Sequence, residues 1–260
     1  MKTNIVPFGP VNIGGSKFAV IAGPCSIESE EQLLSTAKFV QSNGASILRG
    51  GVYKLRTSPK SFQGLGKSAF DLVKLAKQET NMPFISEVTD PRQISDMYDL
   101  VEIFQVGSRN MHNYELLKEL GKTDKPILLK RGLAGLVKEW LLAADYITEQ
   151  GNEKVVLCER GIRTFETTTR NTFDINAIAH VKQFTNFPVI ADPSHGTGVK
   201  ELVAPISMAA AAAGADGLIL EVHPNPSTAK SDGHQALTFD DFETVMTDLK
   251  KLLHVFDKTI

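Results

Sequence analysis

Cysteine is scarce in this chain: two thiols, Cys25 and Cys158, among 260 residues. Two cysteines make no disulfide framework, and they suit a reducing cytoplasm better than a secreted scaffold. An excess of charge of one sign is missing too. Lysine and arginine together number 28 against 30 acidic residues, a formal charge of −2. Such a balance gives no chain-wide basic field for nucleic acid or an anionic membrane. No apolar run approaches the roughly 20 residues needed to span a bilayer. The opening MKTNIVPFGPVNIGG lacks the apolar core and cleavage site of a signal peptide. Local signatures are absent as well: no H-E-x-x-H, no C-x-x-C, and no His-x-His within a strand-like run. These gaps leave a soluble cytoplasmic protein, 42% hydrophobic, with enough apolar content for one large core or two small ones.

What is present is a rhythm. Eight short runs rich in Val, Ile, Leu and Phe recur: FAVIAGPC (18–25), SILRGGVY (46–53), PFISEVT (83–89), IFQVGSR (103–109), PILLKRG (126–132), KVVLCERG (154–161), PVIADPSH (188–195) and GLILEVHP (217–224). They are too short and too continuously apolar for amphipathic helices, and they fit strands buried on both faces. Helical patterns lie between them. EEQLLSTAKFVQSNG puts Leu33, Leu34, Ala37 and Val40 on one face and stops at Asn43-Gly44. KSAFDLVKLAKQ, NYELLKELG, LVKEWLLAADYITEQG and KELVAPISMAAAAAG behave alike, and TFDDFETVMTDLKKLLHVF starts at Thr238 as N-cap. DPRQISDMYDL is the weakest of the set. The alternation predicts an α/β fold, a (β/α)8 TIM barrel over residues 18–260. Residues 1–17 form an N-terminal extension in which VPFGPVNIGG reads as a small hairpin. A doubly wound open sheet is the alternative, weakened because the first turn, GPCSIES, has no G-x-G-x-x-G. No linker or low-complexity tract marks a second domain.

In a barrel the C-terminal ends of the strands converge on one mouth. The ends of the eight runs bring there Cys25; Arg49 and Lys54; Glu87; Arg109; Lys130 and Arg131; Glu159, Arg160 and Arg163; Asp192 and His195; Glu221 and His223; with Asp232 in the last loop. One subset, Cys25, His195, Glu221 and Asp232, offers thiolate, imidazole and carboxylates, which suit a divalent ion such as Mn, Fe, Co or Zn. A second subset is cationic: Arg49, Lys54, Arg56, Arg109, Lys130, Arg160 and Arg163. Such a set asks for small molecules with more than one anionic group, since guanidinium and ammonium groups hold phosphate and carboxylate oxygens. Gly50-Gly51 and Gly64-x-Gly66 would let a ligand approach the backbone closely. Cys158 reads as core, and His112, His180 and His254 as surface.

Seven segments in order, AGPCSIES, GGVYKLRTSPKSFQGLG, VGSRN, LLKRG, LCERGIRTFETTTRNTFD, ADPSHGTG and EVHPNPSTAKSDG, resemble 3-deoxy-D-arabino-heptulosonate 7-phosphate (DAHP) synthases. The resemblance is to the compact variety related to 3-deoxy-D-manno-octulosonate 8-phosphate synthase, and it runs from about Phe18 to the C-terminus. It implies a metal-dependent barrel that condenses phosphoenolpyruvate with erythrose 4-phosphate, the first step of the shikimate route to aromatic amino acids. It further implies that Cys25, His195, Glu221 and Asp232 bind one divalent metal ion. Arg49, Lys54, Arg109, Lys130 and Arg160 would hold phosphoenolpyruvate, and Lys54, Arg56 and Thr57 the erythrose 4-phosphate. Lys54, Cys25 and His195 are then the catalytic candidates, while Glu87 and Arg163 belong at the pocket without an assigned role. A homodimer or homotetramer in the cytoplasm is the expected assembly, with neither nucleic acid nor membrane as partner.

KLRTSPKSFQG and the long CERGIRTFETTTRNTFD favour the heptulosonate activity over the octulosonate one, which would take arabinose 5-phosphate. Leu55 stands where the family has Pro in this loop, which bears on aldose selectivity because proline stiffens a loop. His234 likewise replaces a common Pro. A lysine Schiff-base aldolase built on Lys130 is the rival chemistry. The short segment before the first strand implies a catalytic core without a separate regulatory domain.

Overall fold

Within each apolar run, alternate residues point to opposite faces, and both faces are dry here. The chain follows the sequence expectation closely in the computed structural model, which describes residues 2–8 and 11–260. Two antiparallel strands, β1 (Val6–Phe8) and β2 (Val11–Ile13), form the expected hairpin, pairing Val6 with Ile13 and Phe8 with Val11. Residues 9–10, between the two strands, lie outside the described residues. There follow β3 (Ala19–Gly23), α1 (Glu30–Ser42), β4 (Ile47–Arg49), α2 (Phe70–Thr80), β5 (Phe84–Val88) and α3 (Gln93–Met97). Next come β6 (Ile103–Val106), α4 (Tyr114–Gly121), β7 (Ile127–Lys130), α5 (Val137–Thr148), β8 (Val155–Glu159) and α6 (Ile175–Phe184). The chain ends with β9 (Val189–Ala191), α7 (Pro193–Thr197), α8 (Lys200–Ala212), β10 (Gly217–Glu221) and α9 (Phe239–Val255).

Strands β3 to β10 pair in parallel with their sequence neighbours, and β10 closes on β3, so the sheet is a complete (β/α)8 barrel. Ile21, Ile47, Ile85, Ile103, Leu128, Val156, Ile190 and Ile219, one from each strand, form a single buried cluster with Val6, Phe8 and Ile13 of the hairpin. The hairpin therefore closes the barrel floor. The other face of each strand, with Val20, Leu48, Phe104 and Leu218 among others, packs on the helix layer in a second cluster.

Several expectations are corrected in detail. Every barrel strand is shorter than its apolar run. PVIADPSH stops pairing at Ala191, because Asp192 turns its carboxylate back to accept the His195 backbone N–H at 3.1 Å and opens α7. On α1 the buried face includes Gln32 and Thr36, while Leu34 is only half-buried. Gln32 can be buried because its side chain donates to the Ser26 carbonyl at 3.1 Å, leaving no orphaned amide. DPRQISDMYDL yields only the five-residue α3. No described helix is long and apolar enough to cross a membrane.

Thr238 caps α9 as expected. Its hydroxyl accepts from the Asp241 backbone N–H at 3.2 Å, and Asp241 accepts from the Thr238 backbone N–H at 3.0 Å. Thr238→Ala should lower unfolding stability by about 1 kcal/mol, read as a lower urea midpoint with an unchanged slope.

Candidate active site

The first barrel strand, β3, ends at Gly23, which has φ of +151°; a Cβ there would lie 2.2 Å from the Arg49 carbonyl oxygen. Only glycine permits that approach without strain. The turn it makes with Pro24 carries the Cys25 side chain into the barrel mouth, where a cavity of about 400 Å³ opens. Its lining takes in twelve of the polar and ionisable residues singled out by sequence: Cys25, Arg49, Lys54, Arg56, Thr57, Glu87, Arg109, Lys130, Arg160, Arg163, His195 and Asp232. Glu221 lies just behind, fully buried, against His195 and Arg49.

Cys25, His195, Glu221 and Asp232 offer one ligand atom each within 4.8 Å of one another. Cys25 Sγ donates to Asp232 Oδ2 at 3.3 Å, and His195 Nε2 lies 3.1 Å from Glu221 Oε1. One thiol, one imidazole and two carboxylates converging at a half-dry point form a donor set that fits a divalent transition ion. Burial pushes the Cys25 thiol up to about 12, and Glu221 adds to the rise. Burial also works against the charged form of Glu221, but His195, Arg49 and Lys54 outweigh it and hold that carboxyl well below its usual range.

Lys54 Nζ donates to Cys25 Sγ at 2.6 Å and lies 3.5 Å from Asp232 Oδ2. Burial alone would lower its pKa; Cys25, Glu221 and Asp232 together carry it above the ordinary lysine value. Arg56 donates to Ser231 Oγ at 2.6 Å, and Ser231 Oγ is 3.2 Å from Cys25 Sγ. The substrate-loop candidates and the donor quartet are thus one network. Thr57 sits exposed at the rim.

The cations differ in how fully they are used. Arg131 does not line the cavity: its Nη1 donates to Glu159 at 2.9 Å and Asp174 at 2.8 Å, and its Nε to the Gly135 carbonyl at 2.9 Å. Arg49 gives Nη2 to Glu221 at 3.2 Å, but its buried Nη1 has no partner. An unpaired buried guanidinium N–H is costly unless a ligand takes it. Arg160 is buried, and burial lowers its pKa. Lys130 Nζ donates to Asp192 Oδ2 at 2.5 Å.

Two strand-end candidates turn out to be elsewhere engaged. Glu159 is held by Arg131 and by the Gly161 backbone N–H at 2.6 Å. His223 faces Glu28, 3.8 Å away, and accepts from the Asn225 N–H at 3.0 Å. Gly50 and Gly51 line the cavity, yet the room they leave is filled by the chain itself: a Cβ on Gly51 would meet the Cys25 carbonyl at 2.8 Å, and one on Gly50 the Ile27 side chain at 3.0 Å. Gly64, with φ of +91°, is likewise pressed against the Val52 carbonyl, 2.3 Å from where a Cβ would stand. Sequence reasoning missed Arg170 and Asn171, which line the cavity within CERGIRTFETTTRNTFD, and Gln105. Arg170 donates to Gln235 at 2.8 Å, and Gln235 donates to Glu221 Oε2 at 2.6 Å. Cys158 lies in the barrel interior cluster, and His112, His180 and His254 are exposed, as read.

A family described as "DAHP synthetase I family" matches residues 4–256. The chain belongs to that family. Among its relatives is a Thermotoga maritima protein named phospho-2-dehydro-3-deoxyheptonate aldolase, 45% identical over 251 residues, covering 96% of this chain and 74% of the relative. A crystal structure of a DAHP synthase from Thermotoga maritima superposes with a TM-score of 0.96 at 43% identity, covering 99% of this chain and 76% of that one. A 2-dehydro-3-deoxyphosphooctonate aldolase from Koribacter versatilis is more distant, 31% identical over 263 residues, with 93% of each chain covered. The DAHP synthetase relationship extends across both the barrel and the cavity.

Ligation by Cys25 would need the thiolate, so metal binding there would release the proton that burial holds on. Metal affinity should therefore rise with pH, roughly tenfold per unit between about pH 6 and 8 for one released proton, as read by Co²⁺ titration of the thiolate charge-transfer band. Cys25→Ala should lose the metal and the slope while its far-ultraviolet circular dichroism stays that of the parent.

Proposed function

We propose that this chain condenses phosphoenolpyruvate with erythrose 4-phosphate and water to give DAHP and inorganic phosphate, supplying the first step of aromatic amino acid biosynthesis. One observation carries the reading: a Cys/His/Glu/Asp donor quartet converges at the wall of the cavity that Arg49, Lys54, Lys130 and Arg160 line, and Arg49 keeps a buried N–H unpartnered. A divalent ion (Mn, Fe, Co or Zn) held by Cys25, His195, Glu221 and Asp232 would supply Lewis-acid polarisation of the aldose carbonyl.

The chain's own groups do the rest. Arg49, Arg109, Lys130 and Arg160 hold the phosphate and carboxylate of phosphoenolpyruvate, with the free Arg49 Nη1–H as a ready donor. That anchoring sets C3 against the aldehyde carbon, a gain chiefly of orientation. Arg56 and Thr57, nearer the rim, take the aldose phosphate. Lys54, kept charged by its acidic neighbours, hands a proton to the new hydroxyl, directly or through bound water. The same cations stabilise the charge that builds as water adds at C2 and phosphate leaves.

The lysine Schiff-base alternative is disfavoured by the Lys130–Asp192 contact, which ties the nitrogen to a buried carboxylate. Two free, buried cysteines accord with a reducing cytoplasm.

Phosphoenolpyruvate consumption by protein stripped of metal and then reloaded with Mn²⁺, Co²⁺ or Zn²⁺ tests the reading. Restored turnover should favour erythrose 4-phosphate over arabinose 5-phosphate by at least about tenfold in kcat/KM. Turnover with arabinose 5-phosphate alone, or borohydride trapping with indifference to chelators, would overturn it.

A further inference from the structure

Asp192 stands behind the cavity wall, at the junction of β9 and α7, and answers two candidate residues with one oxygen. Its Oδ2 accepts from Lys130 Nζ at 2.5 Å and lies 2.8 Å from His195 Nδ1. Its Oδ1 accepts the His195 backbone N–H at 3.1 Å. Asp192 is fully buried, so bulk water does not stand in for either partner.

The two claims on Oδ2 are unequal. Lys130 holds a formed hydrogen bond, whereas His195 Nδ1, though close and buried, has no aligned acceptor. The contact with Asp192 is an ion-pair distance rather than a well-directed bond. On the far side of the ring, Nε2 faces Glu221 and the donor quartet. What Asp192 can do for His195 therefore depends on where the Lys130 ammonium points.

We propose that Asp192 is a positioning residue that couples the two halves of the site. When Lys130 turns from Asp192 to a bound anion, Oδ2 is released to accept from His195 Nδ1–H. That bond orients the imidazole and makes Nε2 a better donor to a divalent cation. The inference rests on the metal and phosphoenolpyruvate reading above. A carboxylate on the second nitrogen of a ligating imidazole changes metal affinity by about 10–100-fold. Because linkage is reciprocal, the anion should tighten the metal by the same factor as the metal tightens the anion. A role limited to packing would shift both affinities without making either depend on the other.

Calorimetric titration of Mn²⁺ into metal-stripped protein, with and without saturating phosphoenolpyruvate, reads the coupling. In the parent protein phosphoenolpyruvate should tighten Mn²⁺ by about fivefold or more. Asp192→Asn should weaken Mn²⁺ chiefly in the presence of phosphoenolpyruvate, by about fivefold or more, and so bring the phosphoenolpyruvate factor close to one. Lys130→Met should do the opposite to the first quantity, raising the affinity without phosphoenolpyruvate, because Oδ2 then has His195 alone. Removing a positive charge could raise cation affinity through space, and the double variant separates the two causes. If the gain from Lys130→Met disappears in the Asp192→Asn background, it acts through Asp192; if it persists there, the proposal is wrong. Should Asp192→Asn not fold, an unchanged phosphoenolpyruvate factor in Lys130→Met is enough to refute it. A parent protein that binds neither Mn²⁺ nor phosphoenolpyruvate sinks the functional reading instead. Binding of both, with the coupling intact in Asp192→Asn, sinks this inference alone.

Discussion

A carboxylate taken fully out of water must be compensated on every side, and Glu221 imposes that demand on the whole barrel mouth. Oε1 is met by Arg49 at 3.2 Å and His195 at 3.1 Å, and Oε2 by Gln235 at 2.6 Å, while its backbone N–H donates to Ser194 at 3.1 Å. Through those four partners the last strand is tied to β4, to α7 and to the loop before α9. Arg170 reaches the same point by way of Gln235. Each partner is fixed by a charge it has to answer, so their positions are set by electrostatics as much as by packing. The barrel supplies convergence; Glu221 supplies the reason for the side chains to stay where convergence puts them.

Buried ion pairs are weak support for stability, because desolvation consumes much of what attraction returns. What the mouth gains from them is a sorting of its cations. Arg131 has two carboxylates and a carbonyl, and it does not line the cavity. Arg49 has one carboxylate and a spare N–H, and Lys130 one carboxylate shared with a histidine. The acceptors each cation meets across the barrel, rather than its position in the sequence, distinguish a structural cation from an available one.

That distinction marks the limit of what was legible in the residues alone. The strands, the closure, the floor hairpin, the Thr238 cap and the gathering of the quartet with the cation set all follow from local periodicity and strand-end position. Both are properties of short stretches, which a single sequence displays. Pairing across the barrel is different. Nothing local says that Arg131 meets Glu159 and Asp174, that Lys130 next to it meets Asp192, or that His223 looks away towards Glu28. Nor does a Gly-Gly pair reveal whether the absent side chain makes room for a ligand or for the Cys25 carbonyl. Arg170 and Asn171 were obscured for another reason: they lie late in a long irregular loop with no period to count along. α7 was hidden by its length, since five residues starting at Pro193 carry no amphipathic signature.

The hairpin at the barrel floor has a consequence for traffic. Val6, Phe8 and Ile13 close one end with apolar side chains packed on a layer drawn from all eight strands. Among the described residues, the cavity is then blind at that end. Arg49 and Lys130 are buried towards its inner end, while Thr57 and Arg163 stand exposed at the threshold. Two molecules that share a blind alley cannot pass each other. On the function proposed above, the molecule lodged against the deep cations would have to arrive before the one that stops at the threshold, and a product spanning both would leave by the way its parts came in.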